Sequence, residues 1–136
     1  MREIKFRAWD RKDKVIANFG HAGFSVVCER IRNYALGFDS EGNYRRQDNL
    51  VYMQYTGLKD KNGVEIYEGD IIQGATEGYG ELEGTDVPFS PTSVDWNPDQ
   101  CGFTLMGWYG YSLAHFLSIE VIGNIYENPE LLKEEE

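Results

Sequence analysis

An Asn-Gly pair at residues 62–63 lies between two short apolar runs and restricts the chain to a sharp reversal at that point. Asn and Gly both tolerate the positive φ angles of a type I′ turn, so the pair predicts a β-hairpin between Leu58 and Val64. The triplet Glu68-Gly69-Asp70 indicates a second tight turn a few residues later. Tight turns at this spacing, separated by short apolar runs, are typical of a fold built mainly from strands.

The N-terminus predicts another hairpin. Residues 4–9 alternate between a face of Ile, Phe and Ala and a face of Lys, Arg and Trp, which is the period of a half-buried strand. Residues 10–13 form a polar turn, and residues 15–19 a return strand. Residues 24–34 fit a strand or a helix, and their β-branched start favours a strand. Further strands are predicted at 50–56, 93–96, 103–111 and 120–126, a helical turn at 113–117, and a short terminal helix at 128–132 that Asn128 can cap.

Charge is segregated along the chain, whose formal net charge is −10. Residues 1–62 hold 12 of the 13 Lys and Arg residues and 8 of the 23 Asp and Glu residues, so they carry +4. Residues 63–136 hold the other 15 acidic residues and only Lys133, so they carry −14. Such asymmetry concerns partners, solubility or self-association rather than fold. The acidic half could also imitate a nucleic-acid backbone, although solubility and pairing with a basic half explain it more simply.

The length and composition favour a globular protein of the cell interior. A chain of 136 residues fits one domain or two small subdomains that share a core. It contains no run of 18 apolar residues, and its charged N-terminus does not have the pattern of a signal peptide. Cys28 and Cys101 are too few for a disulfide framework, so we expect buried, reduced thiols in a cytoplasmic protein that does not contact membranes.

Three stretches of the chain resemble the YopX family of proteins, which bacteriophages and prophages encode. They are IKFRAWD at residues 4–10, QYTGLKDKNGVEIYEGDII at 54–72 and EVIGNIYENPELL at 120–132. The stretches consist of turn residues and strand hydrophobics rather than acids, bases and nucleophiles. The resemblance places the protein in a bacterial host cell and implies no particular biochemical activity.

The resemblance also implies the fold, which is mainly β. A β-rich N-terminal subdomain is expected over residues 1–57, followed over residues 58–136 by an SH3-type small β-barrel with a short C-terminal helical turn. The stretch 74–92 departs from that pattern, because it holds four Gly, two Pro and four acidic residues. It predicts a long, mobile, acidic loop or a loose hairpin.

The sequence predicts no catalytic, cofactor or metal site, and therefore a protein that is not an enzyme. Residues 95–99 match the first half of an EF-hand loop, but Gln100 replaces the Gly of its sharp turn and Met106 its bidentate Glu. An Asx-rich turn is the simpler interpretation. His21 and His115 are far apart in sequence, and neither has a further His or Cys nearby at the spacing of a zinc site.

Basic and aromatic residues alternate in the first half of the chain, as they do in strand platforms that bind single-stranded nucleic acid. The net charge of −10 argues against that function, since nucleic-acid-binding domains usually carry a basic excess. We therefore expect a non-catalytic binding or assembly module that forms a homo-oligomer, with a host or phage protein as a further partner, and keep single-strand binding as the alternative. The candidate contact residues are Arg7, Trp9, Arg11, Lys12, Arg45 and Arg46.

Overall fold

The computed structural model describes residues 5–20, 36–38, 43–77, 81, 83–107, 113 and 116–132. The chain is mainly β, with a curled half-barrel sheet, a second sheet and a 3-10 turn at the C-terminus. This architecture confirms the fold class that the sequence predicts. The chain divides into two compact units, Met1–Gly57 and Leu58–Glu136, which we call the N-terminal and C-terminal units. That each is a subdomain in its own right stays a prediction.

The N-terminal unit is built around an antiparallel sheet in which β1 lies between β2 and β5. A separate two-stranded pair, β3 with β4, precedes a 3-10 turn that leads into β5. The last two residues of β5 belong to the C-terminal unit. The bounds are β1 (Phe6–Asp10), β2 (Val15–Gly20), β3 (Leu36–Phe38), β4 (Tyr44–Arg46), the 3-10 turn (Gln47–Asn49) and β5 (Leu50–Lys59).

A small apolar cluster holds this sheet together. The register places Ala8 of β1 opposite Ala17 of β2 and Tyr52 of β5, and all three lie on one face because side chains alternate along strands. Ala8 and Ala17 are buried with Leu50, and Tyr52 packs against them. The alternation that the sequence predicts for β1 is therefore the alternation that builds the core of this unit.

The C-terminal unit contains a four-stranded antiparallel sheet in the order β10-β7-β8-β9. A hairpin joins the end of β5 to β6, ahead of this sheet. The core consists of Ile66, Ile72, Val94, Phe103, Leu105, Leu113 and Phe116. The bounds are β6 (Glu65–Tyr67), β7 (Asp70–Glu77), β8 (Asp86–Asn97), β9 (Gly102–Leu105), β10 (Leu117–Asn124) and a terminal 3-10 turn (Pro129–Leu132).

The stretch 74–92 is mostly strand, so the prediction of a long loop was wrong and the hairpin alternative was right. Residues 74–77 end β7 and residues 86–92 begin β8, with Ala75 paired to Pro88 and Glu77 to Asp86. A proline cannot donate a ladder hydrogen bond, but it can occupy strand positions whose N–H is not needed. Gly and Pro content alone therefore overstated the length of the loop.

The Asn62-Gly63 hairpin exists, but its turn is not type I′. Gly63 has φ +82°, but the φ of Asn62 is not positive. A type I′ turn needs a positive φ at both of its central residues. The N–H of Gly63 donates to the carbonyl of Asp60 at 3.0 Å, and the N–H of Asp60 donates to the carbonyl of Val64 at 2.8 Å. This pattern is a three-residue loop that ends in a left-handed residue, which also needs only one glycine.

Several smaller predictions have mixed outcomes. The terminal helix is a single 3-10 turn, and the amide oxygen of Asn128 accepts the N–H of Asn124 at 3.2 Å. Strand β9 ends at Leu105, earlier than predicted. Of the predicted helical turn at 113–117, residues 114 and 115 lie outside the described residues, while the N–H of Phe116 donates to the carbonyl of Leu113 at 3.4 Å and Leu117 already begins β10. The ambiguous stretch 24–34 lies wholly outside the described residues.

Candidate functional site

The candidate site begins with the turn between β1 and β2, residues 11–14, which we call the basic turn because it holds Arg11, Lys12 and Lys14. All four of its residues are exposed. The turn closes through the N–H of Lys14, which donates to the carbonyl of Asp10 at 2.8 Å. Lys14 has φ +55°, a conformation that non-glycine residues seldom adopt. The structure therefore displays three cations on a short, tightly closed loop.

The carboxylate of Asp10 holds the backbone of the basic turn through hydrogen bonds. One carboxylate oxygen accepts the backbone N–H groups of Lys12 at 2.9 Å and Asp13 at 3.1 Å. Burial raises the pKa of Asp10, but these two hydrogen bonds and the nearby Arg45 guanidinium outweigh that effect, so its pKa lies below the ordinary 3.8. The carboxylate is therefore ionised at neutral pH, and it acts as a fixed acceptor for the turn.

Arg45 joins β4 to the same turn. Its guanidinium lies 3.1 Å from the second carboxylate oxygen of Asp10 and 2.7 Å from a carboxylate oxygen of Asp13. The Arg45 side chain is only 11% exposed, and that of Asp10 only 3%. This candidate nucleic-acid contact therefore lies within an internal ion pair, where its charge is shared between two carboxylates of the N-terminal unit.

Arg11 is the second candidate that binds within the unit. Its backbone N–H donates to the carbonyl of Asn49 at 2.8 Å, and its guanidinium donates to the carbonyl of Asp48. Together with Arg45, it holds the segment from β4 to the 3-10 turn against the basic turn. Lys12 is the remaining candidate at this place, and its side chain is exposed.

Arg7 and Trp9 form a second group on the opposite face of β1 from Ala8. Both are half-buried, and a guanidinium nitrogen of Arg7 lies 3.9 Å from the sulfur of Met53 on β5. Arg46 lies in β4, and its side chain is outside the described part of the structure. The structure thus brings Arg11, Lys12 and Arg45 together, and it places Arg7 and Trp9 elsewhere on the sheet.

The C-terminal unit has its own buried aspartate, Asp60, which is not among the residues that the sequence pattern indicates. One carboxylate oxygen of Asp60 accepts the N–H groups of Asn62 at 2.8 Å and Val64 at 2.9 Å, and the other accepts the N–H of Val121 at 2.9 Å. Burial raises the pKa of Asp60, but these three bonds and the charge of Lys61 outweigh it and hold the pKa below 3.8. Asp60 therefore ties the β5–β6 turn to β10.

Two further buried polar residues play the same part at other strand ends. Asp70, which is 1% exposed, accepts the N–H of Tyr67 at 2.8 Å and so fixes the second tight turn. Asn124 accepts the N–H groups of Tyr126 at 3.1 Å and Glu127 at 2.9 Å after β10. The signal that could have identified these residues is an Asp or Asn next to turn residues at the edge of an apolar run.

The half-match to an EF-hand is an Asx turn, as predicted. The amide oxygen of Asn97 accepts the N–H of Asp99 at 3.0 Å between β8 and β9. Within the described part of the chain, no three His, Cys, Asp or Glu side chains come together as a metal site. Cys101 is exposed, so the prediction that it is buried was wrong, because it lies in the β8–β9 turn with φ +49°. His21 and Cys28 lie outside the described residues.

Among the residues that the structure describes, no helix is long and apolar enough to cross a membrane.

A family model described as YopX protein matches residues 5–133. The chain belongs to the YopX family. The crystal structure of protein EF1440 from Enterococcus faecalis is similar to this YopX chain, with 26% sequence identity and a TM-score of 0.58. The match covers 96% of this chain and 98% of that one. No curated protein matches the chain.

The stretches that carry the YopX resemblance hold the turn-fixing residues of the structure. Asp10 ends the first stretch, Asp60 and Asp70 lie in the second, and Asn124 lies in the third. Gly123 precedes Asn124, and a Cβ added there would lie 2.5 Å from the amide oxygen of Asn128. In this YopX chain, those polar residues therefore serve to hold strands and turns in place.

Proposed function

We propose that this YopX protein is a phage- or prophage-encoded, non-catalytic binding or assembly module that works in the bacterial cytoplasm through protein–protein contacts and self-association. The observation that carries the proposal is the segregation of charge, +4 over residues 1–62 and −14 over residues 63–136. Complementary surfaces steer association and fix its register, whereas like charges exclude wrong arrangements. Two copies can satisfy both surfaces by joining the basic part of one to the acidic part of the other.

Asp10 and Asp60 have the electrostatics of structural carboxylates rather than those of a general acid or base. A general acid or base works best with a pKa near the operating pH, which usually requires a raised carboxyl pKa. Asp10 and Asp60 have pKa values shifted the other way, since backbone N–H groups bind their ionised forms. Their hydrogen-bonding capacity is directed at the backbone of the turns, which is a structural use.

Sedimentation velocity over a range of protein concentrations tests the proposal. At about 50 mM salt, where exposed charges interact over more than 10 Å, we expect an oligomer that dissociates at about 500 mM salt. Circular dichroism at both salt concentrations controls for unfolding. A folded monomer at every concentration and at both salt concentrations would remove the proposal.

Single-stranded nucleic-acid binding is the second candidate, and the exposed basic turn favours it. Arg11, Lys12 and Lys14 all lie on the surface there. It ranks below self-association because Arg45 lies in an internal ion pair and Arg7 is half-buried. A fluorescent oligonucleotide should bind at about 50 mM salt and lose affinity in Lys12→Glu. An absence of binding by the native chain at that salt concentration excludes this function.

A further inference from the structure

Trp96 is the exposed aromatic residue that stands out in the described part of the C-terminal unit. It is 40% exposed, although it lies on the same strand face as Val94, which is 3% exposed and belongs to the core. Its partner across the strands is Phe103, whose ring centroid is 5.1 Å away at an interplanar angle of 71°. The indole therefore lies at the rim of the core, in a T-shaped contact with Phe103 and partly exposed to solvent.

The packing on Phe103 gives this side chain a defined orientation before any partner arrives. A held aromatic ring loses little conformational freedom on binding, which is one reason why Trp is frequent among the residues that dominate interfaces. The indole face also attracts cations, above all Lys and Arg side chains. The exposed part of Trp96 is thus suited to receive a cationic side chain.

The sequence around Trp96 supplies no such cation. From Gly63 to Leu132 the chain holds no Lys or Arg, and two carboxylates, Asp95 and Asp99, stand within three residues of Trp96. Asp99 is exposed in the turn that follows β8. We call Trp96 and Asp99 the acidic rim. It combines an apolar contact with negative charge, so its complement is an exposed, positively charged segment.

We propose that the acidic rim binds the basic turn of a second copy of the chain. This inference rests on the proposed self-association and names the surfaces that carry it. The basic turn is exposed, holds three cations within four residues, and belongs to the N-terminal unit. The contact joins two different surfaces of the chain. Two copies can therefore each bind the basic turn of the other, or several copies can bind head to tail and form a closed ring.

The test compares dissociation constants from sedimentation velocity at about 50 mM salt. Trp96→Ala should raise the dissociation constant about tenfold, as expected for a central aromatic contact. Asp99→Lys should raise it to a similar extent without touching the core, so it keeps the test valid if Trp96→Ala folds poorly. Its matched control is Asp86→Lys, the same charge change at an exposed residue at the other end of β8.

A second control removes an exposed apolar side chain elsewhere in the unit. Met106 is 53% exposed, and Met106→Ala should leave the dissociation constant unchanged. The inference is overturned if folded Trp96→Ala and Asp99→Lys associate like the native chain, or if Asp86→Lys weakens association as much as Asp99→Lys. In either case the native chain still oligomerises, so self-association survives. A monomeric native chain removes both proposals.

Mixing variants tests the identity of the partner. Lys12→Glu damages the basic turn but keeps the rim, and Trp96→Ala damages the rim but keeps the turn. Each alone should associate about tenfold more weakly, while an equimolar mixture should recover association because each pair regains one intact contact. If Lys12→Glu associates normally, or if the mixture shows no recovery, the basic turn of a second copy is not the partner of the rim.

Discussion

The β1–β2 turn of the N-terminal unit and the β5–β6 turn of the C-terminal unit each contain a buried aspartate that accepts hydrogen bonds from the N–H groups of its own loop. They differ in what binds the second carboxylate oxygen. At Asp10 it is the guanidinium of Arg45, which also binds Asp13. At Asp60 it is the backbone N–H of Val121 in β10.

This difference separates two ways of tying a turn to a distant strand. A guanidinium is a mobile, charged donor that can find water or another carboxylate if its partner is lost, and salt screens its attraction. A backbone N–H in a strand has a fixed position, so the loss of its acceptor leaves it without a substitute. We therefore expect the Asp60 turn to depend on shape and the Asp10 turn to depend on charge.

The largest effect should come from removing the Asp60 carboxylate. Asp60→Ala leaves three N–H groups without their acceptor, including that of half-buried Val121, and should lower the free energy of unfolding by about 3 kcal/mol. Asp10→Ala should cost less, about 2 kcal/mol, because the N–H groups of its exposed loop can reach water and Arg45 keeps Asp13. Urea unfolding followed by circular dichroism measures both losses.

Asp99→Ala is the control for this comparison, since it removes an exposed turn aspartate of the C-terminal unit. It should change the free energy of unfolding by no more than about 0.5 kcal/mol. A loss at Asp10 that equals or exceeds the loss at Asp60 would contradict the distinction between a mobile and a fixed donor.

A smaller effect is expected when only the ion pair between Arg45 and Asp10 is removed. Arg45→Gln should lower the free energy of unfolding by about 1.5 kcal/mol at low salt, because the ionised Asp10 loses its counter-charge but keeps two N–H donors. The cost should shrink at high salt, since Asp13 is 54% exposed and the pair is partly screened. The cost of Asp60→Asn should depend less on salt, because backbone N–H groups stabilise this carboxylate more than the charge of Lys61 does. Urea unfolding at two salt concentrations measures both costs. If the two variants depend equally on salt, the Asp10 turn does not rely on charge more than the Asp60 turn does.

Acid should weaken both turns, and the variants should show which group is responsible. The folded-state pKa values of Asp10 and Asp60 both lie below the unfolded value of about 3.9, so their stabilisation is complete above that pH and is lost as pH falls through the folded values. The stability curves of Asp10→Asn and the native chain should therefore converge below about pH 4. Arg45→Gln should reduce the acid sensitivity that Asp10 contributes and leave that of Asp60 intact. Parallel curves for Asp10→Asn and the native chain would exclude this origin.

Much of the fold was predictable because it rests on local patterns. Alternation over residues 4–9 predicted the sheet face that buries Ala8, and the Asn62-Gly63 pair predicted a hairpin at the right place. The turn type was not predictable from the pair, because the hydrogen bonds of the Asp60 carboxylate help to hold a longer loop. The extent of β7 and β8 was also missed, since ladder partners compensate for Gly and Pro in a way that composition does not reveal.

The sequence indicated which residues could belong to the candidate site, but not what their side chains bind. Arg11, Lys12 and Arg45 lie around the same turn, and whether they contact a partner stays a prediction. Arg45 lies in an internal ion pair because β4 meets the β1–β2 turn. Its partner Asp13 in that turn is 32 residues away in the sequence. Such a long-range pairing leaves no periodic trace in a single sequence. Alternation alone would place Trp96 on the core face of β8 with Val94, so the exposure of Trp96 cannot be read from the sequence either.

The smallest expected effect concerns the left-handed residue that closes each loop. Lys14 has φ +55° and Gly63 has φ +82°, so only the C-terminal turn uses the residue that adopts this conformation without cost. Lys14→Gly should stabilise the protein by about 0.5 kcal/mol, because relief of strain exceeds the added entropy of the unfolded chain. Gly63→Ala should destabilise it by about 1 kcal/mol, and no atom within 4 Å of the new Cβ adds a clash.

Lys12→Gly is the matched control for Lys14→Gly, since Lys12 is exposed in the same loop without a positive φ, and it should give no stabilisation. If Lys14→Gly and Lys12→Gly change the free energy of unfolding equally, the left-handed conformation of Lys14 stores no strain, and the two loops differ only in what their aspartates bind.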